Sequence, residues 1–192
     1  ALLDNPGVVL GPGEYRTLYR RFHQDAEIVS RLIGRDDLPL EIRVLQARAS
    51  LGHIKALVRD RDWLAERETN LLLEDCEETA LTDIIRSARE SEIDMLVPFM
   101  TARGMITPAF LLRMAVLGKM SFVEAVLADL SGTSRERLAH KLYERGEGAA
   151  KAVLRKANVP AACQLLVRAA LMAEAEVRSG LVRKTETEDS FG

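Results

Sequence analysis

Seven basic side chains crowd residues 133–160 against three acidic ones, a local net charge of +4. Arg137 and Lys141 stand one helical turn apart, as do Lys151 and Arg155. With Arg135 and Lys156 they form six cations that helical spacing can gather on one face. The chemistry open to such a face is electrostatic: docking an acidic protein surface, or holding a phosphate backbone. Aromatics that would stack bases are not interleaved with these cations, and the whole chain carries a formal charge of −2. A docking patch or a solvated face is therefore the first reading of 135–156, and a nucleic-acid-associated regulator is the alternative. Residues 60–100 carry the opposite balance, 12 acidic side chains against 4 basic ones.

Other reactive residue types lack the company that chemistry needs. His23 and His53 have no Cys, Asp or His at ligand spacing, and His140 lies between Arg137 and Glu144 on the polar side of its helix. The acidic run EDCEE, residues 74–78, has no glycine-centred alternation of oxygen ligands and reads as a charged helix face. Cys76 within it is a poor nucleophile among carboxylates. Cys76 and Cys163 stand far apart without metal or redox spacing, which fits a reducing, cytoplasmic setting. RGEGAAK, residues 145–151, approaches a phosphate loop in composition but lacks a preceding strand, so it reads as an inter-helix turn. No GxSxG elbow occurs. No catalytic, cofactor-binding or metal-ligating residue is expected, and the chain is read as a non-enzyme.

The elements that must position the cations are helices. Apolar residues recur at i, i+3, i+4 and i+7, and period-two alternation is nearly absent. The pattern predicts helices over 13–23, 25–33, 39–58, 62–89, 91–103, 108–117, 121–130, 134–145, 148–157 and 160–179. Pro39, Pro108 and Pro160 open three of them at the first helical position. Thr107 is the expected cap before Pro108, and Ser121 with Glu124 and Thr133 with Glu136 have the capping-box spacing. Gly34, Gly104, Gly118, Gly132 and Gly146 fall at or just past helix ends, where a left-handed cap is expected. Pro98 should kink its helix or split it near Leu96.

Short connections and a scarcity of aromatics, 5% of residues, favour close antiparallel helix pairs built from small aliphatic side chains. The fold class is all-α, either a HEAT-like α-solenoid or an irregular helical bundle. Residues 1–180 are read as one helical-repeat domain, a piece of a longer chain, and 181–192 as a polar tail. The helix over 160–179 is apolar almost all round apart from Gln164 and Arg168, so it is expected at the centre of the fold or in a homo-oligomer interface. No apolar run reaches the roughly 20 residues of a membrane helix.

The segment from Ile106 to Pro160, ITPAFLLRMAVLGKMSFVEAVLADLSGTSRERLAHKLYERGEGAAKAVLRKANVP, resembles a bacterial, mostly alphaproteobacterial, domain-of-unknown-function family, number 2336. The likeness is carried by Thr107-Pro108, Leu111, Leu112 and Arg113, then Phe122, Glu124, Ala125, Leu127 and Ala128. A second run is matched by Ala152, Leu154, Lys156, Ala157 and Pro160, and LLDNPGVVL and LIGRDDLPLEI are similar to its upstream helical units. The chain departs from the family pattern at Lys119, where members have Asp, and at Val123, where they tend to an aromatic. The resemblance implies a HEAT-like helical fold and brings no activity or site residue. Together with the fold it makes a non-enzymatic protein–protein interaction or scaffold module the expected function.

Overall fold

The computed structural model describes residues 3, 5 and 7–188, and among the described residues every regular element is helical. In order they are α1 (Pro12–Phe22), α2 (Ala26–Ile33), α3 (Leu40–Asp60), α4 (Glu66–Arg86), α5 (Glu90–Thr101), α6 (Pro108–Val116), α7 (Met120–Ser131), α8 (Arg135–Lys156) and α9 (Ala161–Glu188). Two compact units divide the chain, 1–92 and 93–192, with the division inside α5.

In the first unit α1 packs on α2 and α3, and α3 pairs with α4. Its core gathers Tyr15, Tyr19, Leu32, Leu38 and Ile42. Burying two tyrosines requires partners for their hydroxyls. Tyr19 donates to Gln46 Oε1 at 3.0 Å, and Tyr15 donates to Asp37 Oδ1 at 2.6 Å. Arg35 completes that cluster. Its Nε reaches Tyr15 Oη at 2.6 Å and Asp37 at 2.9 Å, while its two Nη atoms reach the carbonyls of Leu3, Asn5 and Val8. One guanidinium thus ties the segment before α1 to the α2–α3 turn. Its hydrogen bonds hold the Asp37 carboxyl down at about 2.

In the second unit α6 packs on α7 and α9, and α8 packs on α7 and α9. These contacts make a ring of neighbours in which each of the four helices packs on at least two others. The helix at its centre is α7, whose Met120, Phe122, Val123, Glu124, Ala125, Val126, Leu127, Ala128 and Ser131 are all buried. Phe122 meets Phe110 of α6 edge to face at 5.8 Å between centroids.

The expected central helix, 160–179, is instead peripheral on one side. Val167 and Leu171 of α9 are buried, but Leu165 remains 64% exposed and Leu166 and Val177 are also exposed. α9 buries one stripe against α6 and α8, whereas α7 is apolar and buried around most of its circumference. The backbone of α9 runs on to Glu188, past the start of the expected polar tail, and residues 189–192 of that tail lie outside the described residues.

Several local expectations change. The helix expected over 62–89 begins at Glu66, because Asp62 takes φ 49° and ends α3 in a turn. Pro98 stays inside an unbroken α5; it removes a single backbone donor three residues before the helix ends. Pro108 occupies the first helical position, while Pro39 and Pro160 sit one residue before theirs. Thr107 caps α6 as expected, its hydroxyl accepting from Phe110 N at 3.0 Å. The two capping boxes do not form. Ser121 lies inside α7 behind Lys119, with Glu124 turned into the core, and Ser134 rather than Thr133 caps α8. Gly34 ends α2 in the right-handed region, whereas Gly104, Gly118, Gly132 and Gly146 have positive φ.

Candidate anion-binding cleft

The six expected cations lie on α8, so its shape decides what they can do together. α8 is two helical segments joined at Gly146, whose φ of 49° and ψ of −127° belong to no helix. Only glycine takes that conformation without strain, so RGEG marks the break between two helical segments, where the sequence separated 134–145 from 148–157. Behind the bend, Leu138, Leu142, Ala150 and Leu154 anchor both segments in the core.

A cleft of about 400 Å³ runs along α8 across the bend. Lys141 and Arg145 line it from the first segment and Lys156 from the second; Gly148, Ala149 and Ala152 make the wall between them. Ser131 and Thr133, at the end of α7, close the other side. Gly132 turns the chain there, taking φ 60° while Thr133 N returns to Ala128 O at 2.9 Å, which sets Thr133 at the cleft. Lys141, Arg145 and Lys156 are exposed, and none has an ion-pair partner among the described residues.

The other expected cations go elsewhere. Arg135 is turned inward, with Nη1 on Asp94 Oδ1 at 3.0 Å and Nε 3.8 Å from Glu124. Lys151 pairs with Glu147 at 3.2 Å, and Arg168 of α9 reaches the same carboxylate at 3.2 Å. These cations hold the Glu147 carboxyl below its ordinary range. Arg137 and Arg155 are exposed outside the cleft lining. Two of the six therefore line the cleft, joined by Arg145, which the sequence patch left out. Its i, i+4 spacing from Lys141 was the available signal.

A different polar centre lies within the bundle. Glu124 is only 4% exposed, and Arg178 of α9 approaches it at 3.1 Å while also pairing with Glu174 at 3.0 Å. Burial pushes the Glu124 carboxyl up, against the pull of Arg178 and Arg135. A cavity of about 260 Å³ lies beside it, walled mainly by Ala139, Leu142, Leu171 and Ala175. With its charge answered by α8 and α9, Glu124 acts as a clamp across three helices. His140, at the same cavity, pairs with Glu144 at 3.5 Å across one helical turn.

His23 and His53, 30 residues apart in sequence, line one groove of about 590 Å³ in the first unit with Gln46 and Ser30. Sequence spacing could not have joined them. Among the described residues no acidic side chain lines that groove to orient or activate an imidazole. Among the described residues no group of three or more His, Cys, Asp or Glu could hold a metal ion, and no helix is long and apolar enough to cross a membrane.

A family model described as an uncharacterised protein conserved in bacteria, DUF2336, matches residues 1–189. The chain belongs to DUF2336. No curated protein and no solved structure was found to match it. The family span takes in both units and therefore the cleft at the bend of α8.

Proposed function

We propose that this chain is a non-enzymatic interaction module that docks an acidic segment of a protein partner in the α7–α8 cleft. One observation carries the reading: Lys141, Arg145 and Lys156 line a single concavity and have no ion-pair partner among the described residues, whereas Arg135 and Lys151 are paired. Cations placed on a surface without partners supply on-rate and specificity for a complementary partner. The extent of the patch argues against the nucleic-acid alternative. With Arg135 and Lys151 in ion pairs, three cations line the cleft and Arg137 and Arg155 stand outside it, a shorter run of available charge than a nucleic-acid backbone engages along its length.

Affinity capture from bacterial lysate with the full chain tests this, with and without nuclease and at two salt concentrations. An acidic protein should be retained after nuclease treatment and lost with the charge-reversed Lys141→Glu/Lys156→Glu variant. Capture that collapses with nuclease would overturn the reading in favour of nucleic acid.

A further inference from the structure

The two faces of α9 differ. Val167 and Leu171 turn into the bundle and are buried, while Ala162, Leu166, Ala169, Ala173, Val177 and Gly180 are exposed. Steps of three and four residues keep those six on one stripe, which runs for about five turns, or about 27 Å. The stripe holds no charged side chain. Charges elsewhere on α9 are answered inside the unit: Arg168 reaches Glu147 of α8 at 3.2 Å, and Arg178 holds Glu174 at 3.0 Å and Glu124 at 3.1 Å. Leu165 and Glu176, eleven residues apart and both exposed, share one margin. An apolar helix face between polar margins is surface for another helix.

The order of residues along the stripe says which helix. Counted outward from the level of Leu171, Ala169 answers Ala173, Leu166 answers Val177, and Ala162 answers Gly180. Small stands against small, and the two branched side chains stand against each other. A twofold axis crossing the helix at that level brings each residue onto its opposite number in an antiparallel copy. That reciprocity, i on j and j on i, is what a symmetric interface between identical chains requires. A face shaped for a different protein has no need of it. The alanines at the middle let the two helix axes approach closely, and antiparallel pairing sets each N-terminus beside the other copy's C-terminus, where the helix dipoles attract.

We propose that α9 pairs with α9 of a second copy of this chain, antiparallel, about a twofold axis at the level of Leu171. None of the stripe residues lines the α7–α8 cleft, so this pairing and the docking reading stand or fall separately. The dimer carries two clefts, which gives a partner with two acidic segments a bivalent hold.

Sedimentation equilibrium of the full chain from about 1 to 500 μM tests the pairing, the range over which contacts of modest area dissociate. The mass should rise with concentration from 21.3 kDa toward twice that value. Leu166→Glu should weaken association at least about tenfold, because each dimer would bury two unpaired charges. Its exposed position should keep the unfolding midpoint of the dilute protein within about 2 °C. Exchanging charges reads the orientation. Ala169→Glu and Ala173→Lys should each weaken association, and the double variant should restore it, since antiparallel copies set the new carboxylate against the new ammonium. A parallel pair would set like charge on like charge. A monomer at every concentration would overturn the proposal, as would a dimer that Leu166→Glu leaves intact. A double variant that associates no better than the single ones would overturn the antiparallel pairing.

Discussion

Arg35 in the first unit and Arg145 in the second are the same residue type in opposite circumstances. All three guanidinium nitrogens of Arg35 are engaged, by Tyr15, Asp37 and three backbone carbonyls, and its side chain is 11% exposed. Arg145 lines an open cleft beside two lysines and has no anion among the described residues. A cation whose donors are all answered within the fold belongs to the structure. A group of cations held at fixed positions without internal anions raises the free energy of the unbound protein through mutual repulsion, and a bound anion relieves that cost. The lesson is that partner count, rather than charge density along the sequence, separates the two roles.

Five variants and a pH series would break or sharpen that comparison. The largest concerns α7, which carries the hydroxyl wall of the cleft. Phe122→Ala removes a fully buried ring packed edge to face on Phe110, and should lower unfolding free energy by about 3–5 kcal/mol in urea titrations. A loss below about 1 kcal/mol would mean that α7 is not the rigid centre of its unit.

Next, Glu124→Ala leaves Arg135 and Arg178 facing an apolar gap. Arg178 is 42% exposed and can turn to water and Glu174, so the expected loss is about 2 kcal/mol, less than for a fully enclosed pair. Glu124→Gln, which keeps the shape, should cost less, and equal losses would show that packing rather than charge sets the effect. Tyr15→Phe should cost about 1 kcal/mol, the worth of one hydrogen-bonding hydroxyl, because Arg35 and Asp37 still pair directly at 2.9 Å.

Acid should act on the two polar centres with opposite signs. The native Asp37 carboxyl is held down at about 2, below its ordinary value, so its contribution to stability is present above that ordinary value. It is lost as the pH falls from about 4 through about 2. The native Glu124 carboxyl is held up, so its contribution is fully present below the ordinary glutamate value and is lost as the pH rises through the raised one. Amide exchange followed from pH 7 to pH 2 should therefore show protection in α1–α3 falling between about pH 4 and pH 2. Over the approach to pH 4, the exchange of α7 amides should slow or hold. Parallel behaviour of the two sets would remove the distinction. Smallest of all, Lys141→Ala/Lys156→Ala should change stability by no more than about 0.5 kcal/mol, as expected of exposed side chains without intramolecular partners.

Much of the fold was legible in the residues, and the misses share a cause. Helix positions followed from apolar periodicity, and Thr107-Pro108 marked the start of α6 in both sequence and structure. The Ser121–Glu124 spacing misled because two uses of Glu124 compete. Facing the helix start it could satisfy one backbone donor, but facing inward it meets arginines from two other helices. In the cleft, Lys141 and Lys156 were legible as exposed cations. Arg145 was left out of the patch although it stands one helical turn from Lys141.

What the sequence determined by itself was local: an all-helical chain, its turns and the family to which it belongs. The helices and turns depend on contacts within a few residues, where side-chain type alone sets the preference, and the family on the run of residues itself. Only the tertiary structure decided that α7 and not α9 lies at the centre, and which cations remain available. Arg135 is neutralised by Asp94, 41 positions away, and Glu124 by Arg178, 54 positions away. Ion pairs at such separations depend on which helices become neighbours, a property of how the bundle closes rather than of any stretch of residues.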